Sequence, residues 1–259
     1  MAACCSVVTA IIAWLLENDK PVILVSRGGR GGSVDDMRSG YTAQQIRSAE
    51  APLLAAGVPL MARAATGLAD VVREVLQGRD AAPGRVLLLV GSGNNGGDAL
   101  FAGAALAADG CQVSIIDVGS RIHEEGLAAA RQAGAVIVPD AAAAAASADV
   151  IVDGILGTGA ADSPALRGRG REVVTAVLPA LTGDRAPAVV AVDIPSGVNP
   201  DDGTVPDATV LPADLTVTFG AHKAGLLRGP AVAYAGEVRL VDIGLGEQLA
   251  NTTPVLQVP

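Results

Sequence analysis

The chain has 259 residues, half of them apolar and only 2% aromatic, enough for one large α/β domain whose core is built from Ala, Val, Leu and Ile. A formal net charge of −9 excludes nucleic acid and anionic membranes as general partners. The cysteines, Cys4, Cys5 and Cys111, have neither zinc-site nor disulfide-framework spacing, which points to a reducing, cytoplasmic setting.

Residues 2–16 form an apolar run without a basic leader and too short to span a bilayer. The Gly/Arg-rich stretch at 27–32 reads as a flexible linker. Residues 1–36 are therefore expected to be an extension and residues 37–259 the domain, with an export or membrane segment as the competing reading. Thr42-Ala-Gln-Gln45 has the capping-box pattern and should open a helix ending near Leu54. Leu60, Ala64, Leu68, Val71 and Val75 set a second helix over 59–76. The continuous apolar run 86–90 predicts a strand buried on both faces. There follow a helix at 98–108, a strand at 113–116, a helix at 124–133 and a strand at 136–138. An alanine-rich helix at 141–146 precedes a strand at 150–152. A helix at 171–181 should end early or kink at Pro179. Strands at 189–192, 215–219 and 238–241 complete the set. Such alternation predicts a Rossmann-like three-layer α/β/α sandwich with a mostly parallel sheet.

The strongest motif is Gly91-Ser-Gly93-Asn-Asn-Gly96-Gly97-Asp98, between a predicted strand and a predicted helix. Glycines there allow a tight turn and close approach of a ligand, and a helix N-terminus favours an anion. Asn94 and Asn95 supply amide groups to the same turn, and Asp98 suits the helix start. Three strands end in Val-Asp: Asp153, Asp193 and Asp242. In open α/β sheets ligands bind outside the carboxyl ends of the strands. Asp153 and Asp193, each followed by a glycine-bearing loop, are therefore functional candidates, while Asp242 reads as structural. His123 and His222 are isolated and predict no transition-metal site.

Residues 91–98, 153–159, 192–197 and 216–227 (Thr-Val-Thr-Phe-Gly-Ala-His-Lys-Ala-Gly-Leu-Leu) together resemble the YjeF N-terminal family, the NAD(P)H-hydrate epimerases. The match runs from about residue 37 to 245. The resemblance implies a Rossmann-like, often homodimeric domain that interconverts the R and S forms of hydrated NADH and NADPH, and a functional link to an NAD(P)H-hydrate dehydratase. It also implies that Asn94, Asn95, Gly96, Gly97 and Asp98, with Gly157, Thr158, Gly159 and Asp193, contact the substrate. Asn95, Asp153 and Ser196 would bind a potassium ion with help from backbone carbonyls. The sequence departs from the family at Ala99, where Gly is usual, in residues 160–165, which look inserted or diverged, and around Lys223.

Epimerisation of a carbon that bears a hydroxyl beside a ring nitrogen needs proton transfer and a positioned water rather than a covalent nucleophile. No Gly-x-Ser-x-Gly elbow occurs, and Cys111 has no evident His partner. Asp193 is the candidate acid/base. Two alternatives stand beside this reading. One is a nicotinamide-dependent dehydrogenase, with Asp117 as ribose-binding acid. The other is a non-catalytic nucleotide-binding or scaffold protein on the same fold.

Overall fold

The computed structural model describes residues 24–25 and 37–259. The expected extension therefore lies outside the described residues, apart from Leu24–Val25 (β1). So do the apolar run 2–16 and the linker 27–32. The described chain enters through β2 (Arg38–Tyr41) into α1 (Ala43–Ala55). The anticipated capping box is complete. The Thr42 hydroxyl accepts from the Gln45 amide at 3.1 Å, and the Thr42 amide donates to the Gln45 side chain at 2.9 Å. Helix α2 (Leu60–Gly78) follows, its apolar stripe buried through Leu68, Val71, Val72 and Leu76. Burial of each such side chain contributes about 1.5–3 kcal/mol.

The central sheet is built from β3 (Arg85–Val90), β4 (Gln112–Asp117), β5 (Val136–Ile137), β6 (Val150–Gly154), β7 (Ala188–Val192), β8 (Leu215–Phe219) and β10 (Glu237–Val241). The strand order is β1-β10-β8-β7-β6-β3-β4-β5. Every pairing from β10 to β5 is parallel, and β1 adds to β10 in antiparallel register. Helices α3 (Asn94–Ala108), α4 (Glu124–Gln132), α5 (Ala141–Ser147) and α6 (Gly168–Val177) form the crossovers. The strand alternation divides the core. Val86, Leu88, Val90, Val152 and Val192 face the layer of α1 to α4. Leu87, Leu89, Ile151 and Ala191 face α5 and α6. A strand with both faces covered is apolar throughout, which is why these segments were legible as runs.

Two boundaries differ from expectation in a way that matters. Helix α3 begins at Asn94 rather than Asp98, so Asn-Asn-Gly-Gly-Asp is the first turn of the helix and not a preceding loop. Its poor intrinsic propensity is overridden by packing: Asn95, Gly96, Gly97 and Asp98 are all buried against the sheet. Gly96 cannot carry a Cβ, which would collide with the Gly91 carbonyl. Helix α6 starts at Gly168 and stops at Val177, and Pro179 falls in the 3₁₀ turn Leu178–Leu181 that follows.

A second sheet was not foreseen. Strand β2 pairs antiparallel with β11 (Leu256–Val258) and parallel with β9 (His222–Lys223). The register Tyr41↔Lys223 fixes where Lys223 points into the molecule. No single helix among the described residues is long and apolar enough to cross a membrane.

Candidate functional site

From β3 the chain winds outward to β4 and β5, then returns to the other side of β3 and proceeds through β6, β7, β8 and β10. The winding reverses between β3 and β6, and their carboxyl ends splay apart into a crevice. A cleft of about 710 Å³ lies there. Asn94 and Asn95 line it from α3, and Gly157, Thr158 and Gly159 from the loop after β6. Arg47 and Glu50 of α1 stand on its rim. Of the remaining candidates, Gly96 and Gly97 are buried, Asp98 and Asp193 are each 6% exposed, and Asp153 and Ser196 are wholly enclosed.

Gly93 caps α3 in an extended conformation without a side-chain bond. The first N–H groups of a helix lack helical partners, so the amides of Asn94 and Asn95 face the cleft side at the positive end of a 15-residue dipole. This is an anion-binding arrangement. Gly157 belongs to it by necessity, because a Cβ there would collide with the Asn95 side chain.

Beneath the cleft, Asn95, Asp153 and Ser196 form one polar group. The Ser196 hydroxyl donates to Asp153 Oδ1 at 2.6 Å and its amide to Oδ2 at 2.9 Å. The Ile155 amide donates to Oδ1 at 3.3 Å, and the Leu156 amide to the Ser196 hydroxyl at 2.8 Å. Asn95 Nδ2 donates to the carbonyls of Val192 at 2.5 Å and Leu156 at 3.2 Å. Burial raises the Asp153 carboxyl above its ordinary range, opposed by the bonds from Ser196 and Ile155. A carboxylate offers about four lone-pair sites, and three donors occupy Asp153, so one remains. Asn95 Oδ1 accepts no hydrogen bond among the described residues. Nor do three His, Cys, Asp or Glu side chains gather there as ligands. The donors that fit a cation are thus amide, hydroxyl and carbonyl oxygens around a single carboxylate, a set suited to a hard monovalent ion.

Asp193 follows β7 with φ of 68°, in the left-handed region that Asp tolerates better than most residues. Its amide donates to the Val217 carbonyl at 2.7 Å. Oδ1 accepts from the Phe219 amide at 3.1 Å and the Thr218 hydroxyl at 3.3 Å, and pairs with the Lys223 ammonium. Oδ2 has no hydrogen bond from a described residue. Lys223 is 1% exposed and also donates to the Phe219 carbonyl at 2.9 Å. Nothing in the sequence separates it from a solvated loop lysine; the pairing of β9 with β2 buries it. Glu50 and Asp98 lie within electrostatic reach of this pair. Burial raises both carboxyls, Asp193 adds to the rise, and Lys223 opposes it.

Glu50 and Arg47 escaped sequence reasoning, since a polar face on a capped helix carries no mark of a cleft. Asp117 spends Oδ1 on the Gly119 amide at 3.0 Å, as a turn residue does. Asp242 closes a similar turn through the Gly244 amide at 2.7 Å. His123 caps α4, accepting from the Gly126 amide at 3.1 Å. Ala99 lies against Gly154, where the missing Cβ leaves room for its methyl group. Residues 158–160 form a 3₁₀ turn, and Ala160, Ser163 and Ala165 extend the cleft wall.

The model of the YjeF-related protein N-terminus matches residues 57–225. The chain is 56% identical over 225 residues to the NAD(P)H-hydrate epimerase of Clavibacter michiganensis subsp. michiganensis, covering 84% of this chain and 95% of that protein. It is 50% identical to the NAD(P)H-hydrate epimerase of Microbacterium testaceum, covering 83% and 82%. It is also 41% identical to the bifunctional NAD(P)H-hydrate repair enzyme Nnr of Mycobacterium leprae, over 81% of this chain but 42% of that longer protein. The crystal structure of yeast ynu0, YNL200c, shares the fold, with a TM-score of 0.62 at 18% identity over 72% of this chain and 82% of the yeast chain. The chain belongs to the YjeF-related protein N-terminus family.

Proposed function

We propose that this protein is an NAD(P)H-hydrate epimerase, an isomerase that interconverts the R and S forms of hydrated NADH and NADPH. Three relatives bearing that name are 50–56% identical over at least 82% of their own lengths. The observation that carries the reading is a juxtaposition. An anion-binding helix end and an ion-paired carboxylate, whose second oxygen no described residue bonds, are joined through Asn95, whose amide grips the carbonyl next to Asp193.

The α3 N-terminus and the loop at Gly157, Thr158 and Gly159 hold the nucleotide, with Asn94, Asn95 and Asp98 in contact and Gly96 and Gly97 shaping the turn. Asp193 is the acid/base at the reacting carbon. The ring nitrogen's lone pair expels the hydroxyl as that group takes a proton. Water then adds to the flat iminium from the other face. Proton transfer of this kind contributes about 10²–10⁴-fold. Asn95, Asp153 and Ser196 would hold a potassium ion, which supplies fixed positive charge where the α3 turn meets the loops after β6 and β7. The protein acts as a homodimer in the cytoplasm and hands the S form to an NAD(P)H-hydrate dehydratase.

The test combines purified protein, the R-hydrate, an S-specific dehydratase and a series of potassium concentrations. Conversion of the R form above the spontaneous rate, rising with potassium, is expected. Consumption of the S form alone, at every potassium concentration, would overturn the reading.

A further inference from the structure

Three carboxyl groups, those of Glu50, Asp98 and Asp193, lie within electrostatic reach of the Lys223 ammonium, and Glu50 lines the cleft. Lys223 is committed to Asp193, which leaves Glu50 and Asp98 without a cation of their own in the enclosed part of the cluster. Glu50 is half-buried, opens to the cleft and has Arg47 one turn away. Asp98 is 6% exposed and its carboxyl has no hydrogen bond from any described residue. On α3 it stands one turn after Asn94, on the same helix face, and Asn94 lines the cleft. An ionised carboxylate in such a place is costly when unpaired, and two more negative charges sit nearby. Burial, then the charges of Asp193 and Glu50, hold the Asp98 carboxyl well above the usual range, and Lys223 offsets only part of this. His123 faces the neighbouring Gly97, but its Nδ1 is occupied by the Gly126 amide.

We propose that Asp98 is a second proton-transfer group of the site, working opposite Asp193. The inference rests on the epimerase reading. A buried carboxyl without a cation of its own and a carboxylate paired with a lysine are set in different surroundings, the one suited to donate a proton and the other to accept it. Asp98 gives its proton to the departing hydroxyl. The carbon–oxygen bond breaks, water leaves, and the nitrogen lone pair forms the iminium double bond. A water then adds to that carbon, a new carbon–oxygen bond forms, the electron pair returns to nitrogen, and the water's proton goes to Asp193 Oδ2. One proton has passed from Asp98 to Asp193, and exchange with solvent past Glu50 resets the cluster. The reverse epimerisation uses the same two groups in exchanged roles.

Asp98→Asn and Asp98→Glu test this, with turnover of the R-hydrate followed against pH and a protonated-carboxyl infrared band followed without substrate. Asp98→Asn should lower kcat about 10²–10⁴-fold, change KM little, lose the decline of activity at alkaline pH and lose the infrared band. Asp98→Glu should recover much of the turnover with the alkaline decline displaced. Wild-type kcat with an unchanged alkaline decline in Asp98→Asn would overturn the proposal. So would an infrared band that survives in Asp98→Asn and vanishes in Glu50→Gln. If Asp98→Asn does not fold, as judged by circular dichroism, Asp98→Glu decides: an alkaline decline coincident with wild type overturns the role. A wild-type protein inert toward the R-hydrate would instead sink the epimerase reading, and this step with it.

Discussion

Lys223 and Asp193, 30 residues apart in the chain, form a buried ion pair that ties the end of β7 to the small second sheet. Their side chains are 2% and 8% exposed. The pair also secures a backbone conformation, because Asp193 sits at φ of 68° and is held there by the Phe219 amide and the Lys223 ammonium.

Removing one partner of such a pair leaves an uncompensated charge. Lys223→Met is expected to cost about 3–5 kcal/mol, read as a lower midpoint in urea unfolding. Adding Asp193→Asn should restore part of that loss, since Asn tolerates the left-handed conformation and carries no charge. A double variant no more stable than Lys223→Met would show that the ammonium acts through packing alone.

Gly157 meets the Asn95 side chain with no room for a methyl group. Gly157→Ala must either displace Asn95 from the Val192 and Leu156 carbonyls or push the loop into the cleft. Overpacking of this sort costs about 1–3 kcal/mol. Because the strained contact is at the site, epimerase kcat/KM should fall about tenfold or more, at roughly 1.4 kcal/mol per decade. Unchanged kinetics would remove Asn95 from the machinery.

Thr42 sets the start of the helix that brings Arg47 and Glu50 to the cleft rim. Thr42→Ala removes half of the capping box and should cost about 1 kcal/mol. Arg47 also bonds the Thr158 carbonyl at 3.2 Å, so a frayed α1 loosens one edge of the cleft. Calorimetry and KM for the R-hydrate should change together, and a lower melting temperature with an identical KM would uncouple the helix from the site.

Much of the sheet was legible because strands β3, β6, β7 and β8 are covered on both faces and must be apolar along their length. The crevice followed from strand–turn–helix chemistry at Gly91 and from the Val-Asp strand ends. Strands β2 and β9 were not legible, because Arg-Ser-Gly-Tyr and His-Lys show neither apolar alternation nor length. The start of α3 was misplaced since Asn-Asn-Gly-Gly is a turn sequence by local propensity, and only contact with the sheet makes it helical. Glu50, Asp98, Asp193 and Lys223 come together through topology alone. A buried lysine is identified by a partner in another segment, and periodicity does not report such pairs.

His222 neighbours Lys223 in β9 and has a buried Nδ1 without a hydrogen-bond partner among the described residues. Burial, with the charges of Arg38 and Lys223, pushes its pKa down to about 4 from 6.5. The folded state thus binds fewer protons than the unfolded chain between those values, and stability falls as pH drops from 6.5 toward 4. Asp98 and Asp153, whose carboxyls are raised, act with the opposite sign. The His222 contribution is therefore read as a difference. His222→Gln should lose less stability than wild type over that interval in urea titrations at stepped pH. Parallel curves for the two proteins would show that His222 does not titrate there.

A potassium ion held by Asn95, Asp153 and Ser196 has a consequence that needs no substrate. An ion bound only by the folded state stabilises it by about 2.7 kcal/mol at a hundred times its Kd. The buried Asp153 carboxylate supplies the single full negative charge among the three side chains, and burial opposes its ionisation. Bound cation would offset that cost, so potassium chloride should raise the melting temperature more than choline chloride at equal ionic strength. Asp153→Asn and Asn95→Ala should each abolish the difference between the salts. Ser196→Ala should weaken it, because the hydroxyl also holds the Leu156 amide at 2.8 Å and its loss loosens the loop that carries Gly157. Equal melting temperatures in the two salts, up to molar concentration, would mean that this polar group is complete without a cation and that its hydrogen bonds alone tie the end of β6 to the loop after β7.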